Sequence, residues 1–244
     1  MKIALETIPL WDALKENTEC PVCSLMKAAE KDSIGYYLSS AIMTPEVRVE
    51  TNRYGFCPVH FVALTERGNP QSLALLMDTY YGENEEHFKK GFRDISSASS
   101  PRQVDKCVER LKKEAEERER GCLICSRMND RLYRYAFTLS SLFESDGEFR
   151  SAFLSSNGLC LHHTFIVSSV AGDALRGESY TSFQKALFRL LEENLKRVRE
   201  DDWWMTQKYK SENQDKPWRG AEDAHKRAVM KLVGSARVID AVRK

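Results

Sequence analysis

Apolar residues recur every three or four positions along most of this chain, which is the spacing of one face of an α-helix. The positions from Leu25 to Ile42 predict one amphipathic helix with a polar interruption, ending at Thr44-Pro45. A longer stripe begins near Asn69-Pro70 and continues to Ile95. Alternation at every second residue, which is typical of strands, is almost absent. The pattern therefore predicts an all-α protein.

The same plan returns in the second half of the chain. A helix from Val104 has an almost wholly charged end at 112–120, which we interpret as a solvated face. Stripes follow over 128–142 and 183–198. The polar, small-residue segment 96–101 separates the halves, so we place a boundary there. The predicted organisation is a helical metal-binding repeat at 1–98, a second at 99–212, and a C-terminal segment at 213–244 packed on the repeats.

The chemistry of the chain is concentrated in its cysteines. Cys20-Pro-Val-Cys23 is followed after 33 residues by Cys57-Pro-Val-His60. Cys122-Leu-Ile-Cys125 is followed after 34 residues by Cys160-Leu-His-His163. Six of the seven cysteines are used in this way. Neighbouring residues recur too, at offsets of 101 to 103, including the glycine of Gly55-x-Cys57 and Gly158-x-Cys160. A steady offset of this kind indicates internal duplication.

Three thiolates and one imidazole form a ligand set typical of tetrahedral zinc. We therefore predict two zinc ions per chain, each closing its own repeat in order along the sequence. The long spacers imply that two helices leave each site and return to it. Each ligand pair precedes an apolar-periodic segment, so the thiolates should lie at helix N-termini, where amide groups stabilise negative charge. The predicted ligands are Cys20, Cys23, Cys57 and His60 for one site, and Cys122, Cys125, Cys160 and His163 for the other.

Other uses of these cysteines remain open to different degrees. An iron–sulfur cluster is the main alternative to zinc, because three cysteines and a histidine can also hold one. Disulfide pairing is disfavoured, since disulfide-dense domains are shorter and would not require a histidine in each set. Haem attachment needs histidine after the second cysteine, where Ser24 and Ser126 stand. Thioredoxin-like redox chemistry needs a βαβ setting, which the helical pattern does not provide.

Composition indicates a globular protein, but it does not identify a function. The 244 residues are 42% hydrophobic and 30% charged, as in globular proteins. Lysine and arginine number 37 against 36 acidic residues, so net charge does not indicate nucleic-acid binding. No apolar run approaches the roughly 18 to 20 residues of a membrane helix, and the N-terminus does not resemble a signal peptide. We expect a cytoplasmic protein with reduced thiols.

Several further residues have a structural and a functional interpretation. His162 is an alternative ligand to His163, or an ordinary residue at a helix start. Glu83 and His87 are one helical turn apart, although their acidic surroundings favour a solvated face. Cys107 lies on the apolar side of its helix, which favours a buried, inert thiol. Trp203, Trp204 and Trp218 are either a stacking surface or a plug over the core of the second repeat, and we favour the plug.

The motifs Cys-Pro-x-Cys, Glu-Val-Arg and Gly-Phe-Cys-Pro-x-His, followed by Lys-Pro-Trp-Arg-Gly-Ala-Glu-Asp-Ala-His-Lys-Arg-Ala, resemble those of an uncharacterised bacterial family with a domain-of-unknown-function label. The similarity covers essentially the whole chain. It implies a bacterial cytoplasmic protein with two metal knuckles, and it brings no catalytic residue.

Two functions follow from these observations. In the first, the metals are structural and the protein is a binding or adaptor module for a protein partner. In the second, the same Cys3His sites hold iron–sulfur clusters, are redox-active, or serve a metal-dependent enzyme. No nucleophile–base pair, phosphate-binding loop or paired-carboxylate motif accompanies the ligands, which favours the first.

Overall fold

The computed structural model describes residues 5–236, and the regular elements of this range are all helices. Two short 3-10 helices lie at Ser40–Met43 and Ser211–Asn213. The α-helices are α1 Thr7–Lys15, α2 Pro21–Tyr37, α3 Pro45–Tyr54, α4 Pro58–Thr65, α5 Pro70–Ser96, α6 Pro101–Arg120, α7 Leu123–Ser145, α8 Gly147–Leu154, α9 Leu161–Ala174, α10 Gly177–Lys208 and α11 Ala224–Val233. The predicted all-α class is confirmed.

Helix starts follow the capping signals in the sequence. The Asn69 side chain accepts a hydrogen bond from the Ser72 amide at 3.2 Å, and Pro70 occupies the first turn of α5. Ser100 and Pro101 open α6 in the same way. The predicted helix from Leu25 to Ile42 is shorter than expected, because α2 ends at Tyr37 and a 3-10 turn follows. None of the described helices is both long and apolar enough to cross a membrane.

The described chain divides into two compact units that differ from the predicted repeats. Unit one comprises residues 5–29 and 129–236, and unit two comprises residues 30–128. Both chain crossings between the units fall inside helices, α2 and α7, rather than in the segment 96–101. That segment instead joins α5 to α6 within unit two, so the boundary predicted there is not where these units divide.

Unit one has a core of aromatic and aliphatic side chains. Phe149, Phe153 and Phe183 are fully buried, and Trp11 of α1 meets the Phe149 ring edge-on with 5.3 Å between ring centroids. Helix α11 packs against α10 and α9. This packing brings the C-terminal segment beside the start of α9, where Cys160 and His163 lie.

Unit two is held by α5, which packs against α3, α4 and α6. Phe61 of α4 contacts Tyr80 of α5 edge-on, with 5.8 Å between ring centroids. At Gly91 of α5, an added Cβ would lie 2.6 Å from a methyl carbon of Leu111, so the glycine permits close approach of α6. None of the residues of α6 is buried, in agreement with the predicted solvated face.

Candidate metal centres

Four of the predicted ligands meet in unit one and form what we call the Cys20 group: Cys20, Cys23, Cys160 and His163. Their donor atoms all lie within 4.8 Å of one another, and the four residues are buried. The Nδ1 atom of His163 is 3.4 Å from the sulfurs of Cys20, Cys23 and Cys160. The Cys23 and Cys160 sulfurs are 3.9 Å apart.

The other four predicted ligands meet in unit two and form the Cys57 group: Cys57, His60, Cys122 and Cys125. The Nδ1 atom of His60 is 3.3 Å from all three sulfurs. The Cys57 and Cys125 sulfurs are 3.9 Å apart. The two groups therefore share one arrangement of donors, as the duplicated motifs predict.

These distances are those expected around a single tetrahedral ion. Zinc–sulfur bonds of about 2.3 Å and zinc–nitrogen bonds of about 2.0 Å place two sulfurs about 3.8 Å apart, and a sulfur and a nitrogen about 3.5 Å apart. The observed separations of 3.9 Å and of 3.3–3.4 Å agree to within a few tenths of an ångström. By geometry and donor chemistry, both groups suit one thiophilic cation each.

The pairing of the motifs differs from the prediction, which is wrong on this point. Cys20 and Cys23 were expected to join Cys57 and His60, but they join Cys160 and His163. Cys122 and Cys125 join Cys57 and His60 instead. The outer two motifs of the chain form one group and the inner two form the other. Either pairing yields three thiols and one imidazole, so ligand chemistry alone could not distinguish them.

Local backbone structure explains why each Cys-x-x-His motif is preceded by glycine. Gly55 and Gly158 have positive φ values of 65° and 68°. At Gly55 the ψ value is −150°, a conformation that is essentially restricted to glycine. Cys57 and Cys160 then serve as the N-caps of α4 and α9. The imidazole, three residues later, lies in the first turn and faces back toward the sulfur.

In the Cys20 group, the clustered donors favour the thiolate form of Cys23 and disfavour that of Cys20. Hydrogen bonds from Cys160 and Cys20 hold the pKa of Cys23 far below its usual range. Burial raises the pKa of Cys20. Burial alone would lower the pKa of His163, but hydrogen bonds with Cys160 and Cys23 outweigh it and raise the pKa to about 9. Deprotonation of Cys20 in addition to Cys23 therefore calls for a bound cation.

The Cys57 group shows the same competition. A hydrogen bond from Cys125 lowers the pKa of Cys122 to about 3. The pKa of Cys125 is in turn raised well above its usual range by its hydrogen bond with Cys122 and by burial. Burial also raises the pKa of Cys57. One negative charge is stabilised within the group, and a divalent cation would stabilise the remaining two.

The outer nitrogens of the two histidines have different surroundings. Glu30 of α2 places Oε1 3.4 Å from Nε2 of His60, without hydrogen-bond alignment. The Nε2 atom of His163 is buried and has no hydrogen-bond partner among residues 5–236. A carboxylate behind a ligating histidine keeps the proton on the outer nitrogen and leaves the inner one free to bind metal. Glu30 therefore supports the Cys57 group alone.

A buried lysine fastens the two chain segments that form the Cys20 group. Lys231 of α11 is fully buried and donates to the backbone carbonyl oxygens of Glu19 at 2.6 Å and Asn157 at 2.7 Å. Glu19 precedes Cys20, and Asn157 lies three residues before Cys160. The Ser235 amide donates to the Cys23 sulfur at 3.3 Å. The C-terminal segment thus contacts the group directly.

The charge of Lys231 is balanced by the carboxylate of Glu19, 2.9 Å away. Glu19 also accepts a hydrogen bond from Arg197 of α10 at 2.6 Å. Burial disfavours its charged form, but the hydrogen bonds from Arg197 and Lys231 outweigh this and lower the pKa of Glu19. The network ties α10 and α11 to the start of α2. Sequence reasoning missed it because paired charges carry no motif.

The remaining candidates from the sequence lie outside both groups. His162 is exposed, so His163 is the member of the Cys20 group. His87 pairs with Glu114 at 3.2 Å rather than with Glu83. The Cys107 thiol is half-buried, not buried as predicted, and its sulfur lies 3.9 Å from the carbonyl oxygen of Asp94.

The tryptophan cluster is not the core plug that we favoured. Trp203 is 60% exposed. Trp204 donates to the carbonyl oxygen of Pro217 at 3.2 Å, and the Arg219 guanidinium lies 4.6 Å from its ring centroid. Trp218 is half-buried. Trp204 and Trp218 join the loop between α10 and α11 to the end of α10, because Trp204 contacts Pro217 and Arg219 and Trp218 contacts Tyr209.

A groove of about 360 Å³ lies in unit two, near the Cys57 group in sequence. Apolar rings dominate its walls, and Pro58 and Phe61 come from the helix that also carries His60. Polar groups at its edge include Arg118, which lies over the Phe88 ring. Its volume is in the range of small ligand sites.

Comparison with known families matches residues 1–238 to a family of unknown function, DUF6062. The chain belongs to this family. Neither the curated proteins nor the solved structures include a significant match to this chain.

Proposed function

We propose that this DUF6062 protein binds two structural zinc ions and acts as a binding or adaptor module for a protein partner in the bacterial cytoplasm. The observation that carries the metal assignment is the convergence of three sulfurs on one Nδ1 atom in each group, at 3.3–3.4 Å. Each set supplies four donors, which fills a tetrahedral zinc shell and leaves no position for a substrate.

The spacing of the donors favours one ion over an iron–sulfur cluster. In a cluster, several irons and sulfides lie between the cysteine sulfurs and hold them farther apart. Here all donors of a group lie within 4.8 Å of one another, which matches the edges of a single tetrahedron. Among single ions, zinc is the usual occupant of Cys3His sets in proteins with structural sites.

Metal analysis tests the assignment directly. Protein purified without air should contain about two zinc ions per chain and no visible absorption band. Cys160→Ser should retain one zinc, whereas Cys107→Ser, which changes a cysteine outside both groups, should retain two. A brown chromophore with labile sulfide would contradict the zinc assignment. Equal zinc content in Cys160→Ser and the wild type would contradict the ligand assignment.

The adaptor role is supported by the closed metal shells and by the aromatic groove of unit two, which is open to an apolar segment of a partner. Phe92 lines this groove and is 62% exposed. A partner protein that the wild type captures, and that captures the wild type in the reverse experiment, should no longer bind the Phe92→Glu variant. Val49→Glu is the control, since Val49 is 67% exposed and lies outside the groove lining. Equal capture by both variants would contradict a role for the groove.

A further inference from the structure

We propose that the Cys57 group is the site at which this protein exchanges metal with thiols and chelators, whereas the Cys20 group retains its metal. The inference rests on the proposed metal binding and assigns different roles to two sites that are chemically alike. Both hold the same donor set, so the difference must come from access to the sulfurs and from the segments that cover them.

Access differs at the ligand residues themselves. All four members of the Cys20 group are buried, but Cys57 and Cys125 are only partly buried. Their sulfurs are 3.9 Å apart, so the two accessible thiolates form one edge of the same tetrahedron. A small thiol or chelator can approach the metal across this edge. No comparable edge exists in the Cys20 group.

The Cys20 group is also stabilised by hydrogen bonds from residues that are not ligands. Lys231 donates hydrogen bonds to the carbonyl oxygens of Glu19 and Asn157. Glu19 belongs to the chain segment that supplies Cys20 and Cys23, and Asn157 belongs to the one that supplies Cys160. Ser235 donates directly to the Cys23 sulfur, so the residues after α11 also cover this sulfur. Exchange here requires α11 and the following residues to open first, and local opening of a packed helix slows any reaction behind it.

Glu30 does not reverse this order. By pairing with Nε2 of His60, it strengthens the imidazole as a ligand and so raises the affinity of the Cys57 group. It lies on the outer side of the ring, however, away from the Nδ1 atom that faces the sulfurs. Affinity is therefore increased while Cys57 and Cys125 stay accessible. The structure favours a site that binds metal well and still exchanges it.

The exchange step is a ligand substitution without oxidation. If zinc is bound, each competing thiol that replaces a cysteine would lose one proton, and the displaced cysteine would take up one proton. Replacement of Cys57, Cys122 and Cys125 would therefore balance in atoms and charge. The neutral imidazole of His60 would give way to a neutral ligand such as water.

Release of zinc to excess 4-(2-pyridylazo)resorcinol tests the proposal. We expect two phases of one zinc each, the slower at least about tenfold slower because it waits on local opening. Cys57→Ser should remove the fast phase and Cys160→Ser the slow one. A single phase for the wild type, or the reverse assignment in the variants, would overturn the inference.

Alkylation of the wild-type zinc protein gives a measurement that does not depend on variants folding. Limiting N-ethylmaleimide followed by peptide mapping should modify Cys57 and Cys125 before Cys20, Cys23 and Cys160. Cys107 serves as the internal reference for a thiol away from metal. Modification of the Cys20 group before Cys57 and Cys125 would overturn the inference. The proposed function would still be supported if the same protein contained two zinc ions per chain. Protein without zinc would contradict both.

Discussion

The ammonium group of Lys231 donates a hydrogen bond to the carbonyl oxygen of Glu19 at 2.6 Å, one residue before the first metal ligand. A lysine without solvent exposure is costly unless it is paired, and here it pairs with the Glu19 carboxylate as well. The C-terminal helix thereby connects the stability of unit one to the integrity of the Cys20 group.

Replacement of this lysine should destabilise the protein and expose the Cys20 group. Lys231→Met removes one partner of a buried ion pair, for which we expect a loss of about 3 kcal/mol in the free energy of unfolding. Chemical denaturation and N-ethylmaleimide modification of Cys20 and Cys23 measure the two effects. Lys226→Met, which changes an exposed residue of the same helix, should behave as the wild type. Equal stability of both variants would contradict the role of Lys231.

Loss of the Glu30 charge should weaken metal binding at the Cys57 group alone. Glu30→Gln keeps the size of the side chain but removes the charge facing Nε2 of His60, so affinity at this site should fall about tenfold. Competition with a fluorescent zinc chelator measures both sites, and the Cys20 group should be unchanged. The exposed Glu46 provides a control in Glu46→Gln. Unchanged affinity in Glu30→Gln would sink this prediction.

The pairing of the motifs can be read from the metal content of double variants. Cys20→Ala with Cys160→Ala removes two ligands of one group, so about one zinc per chain should remain. Cys20→Ala with Cys57→Ala damages both groups and should leave almost none. The pairing first expected from sequence order gives the opposite result. Zinc analysis after gel filtration therefore decides between the two arrangements.

Gly55 gives a prediction about the backbone that precedes the Cys-x-x-His motif. Gly55→Ala forces a side chain into a conformation with φ of 65° and ψ of −150°, and its Cβ would lie 3.0 Å from the Tyr80 ring. We expect a loss of about 2 kcal/mol in unfolding free energy. Gly82 is the matched control, because it is helical with open space around it. Gly82→Ala should be neutral or stabilise by up to about 1 kcal/mol. Similar thermal stability in the two variants would contradict this account.

The sequence was sufficient for the all-α class and for identifying the eight residues that cluster in the two groups, because both depend on local spacing. The start of α5 at Pro70 follows from its asparagine cap, and the position of His163 follows from its motif. The pairing of the motifs was not predictable, because it depends on which helix starts meet in space. Two Cys-x-x-Cys motifs and two Cys-x-x-His motifs can combine in two ways, and sequence order favoured the wrong one.

The roles of the residues that support the two groups could not be predicted from the sequence either. Glu30 is seven positions after Cys23 and belongs to the other unit, so its effect on His60 is a tertiary contact without a local signal. Lys231 is 211 positions after Cys20. One clue existed, since the C-terminal segment has no counterpart in the first repeat. A segment present once can serve only one of two duplicated sites.

The nesting of the inner motif pair within the outer pair has a consequence for biosynthesis. A ribosome translates Cys57, His60, Cys122 and Cys125 before it reaches Cys160. The inner centre can therefore close on a nascent polypeptide, because its unit is one uninterrupted stretch of chain. Cys20 and Cys23 emerge first yet find their partners last, and Lys231 arrives later still. In a growing chain, the earliest thiols remain unprotected for most of translation.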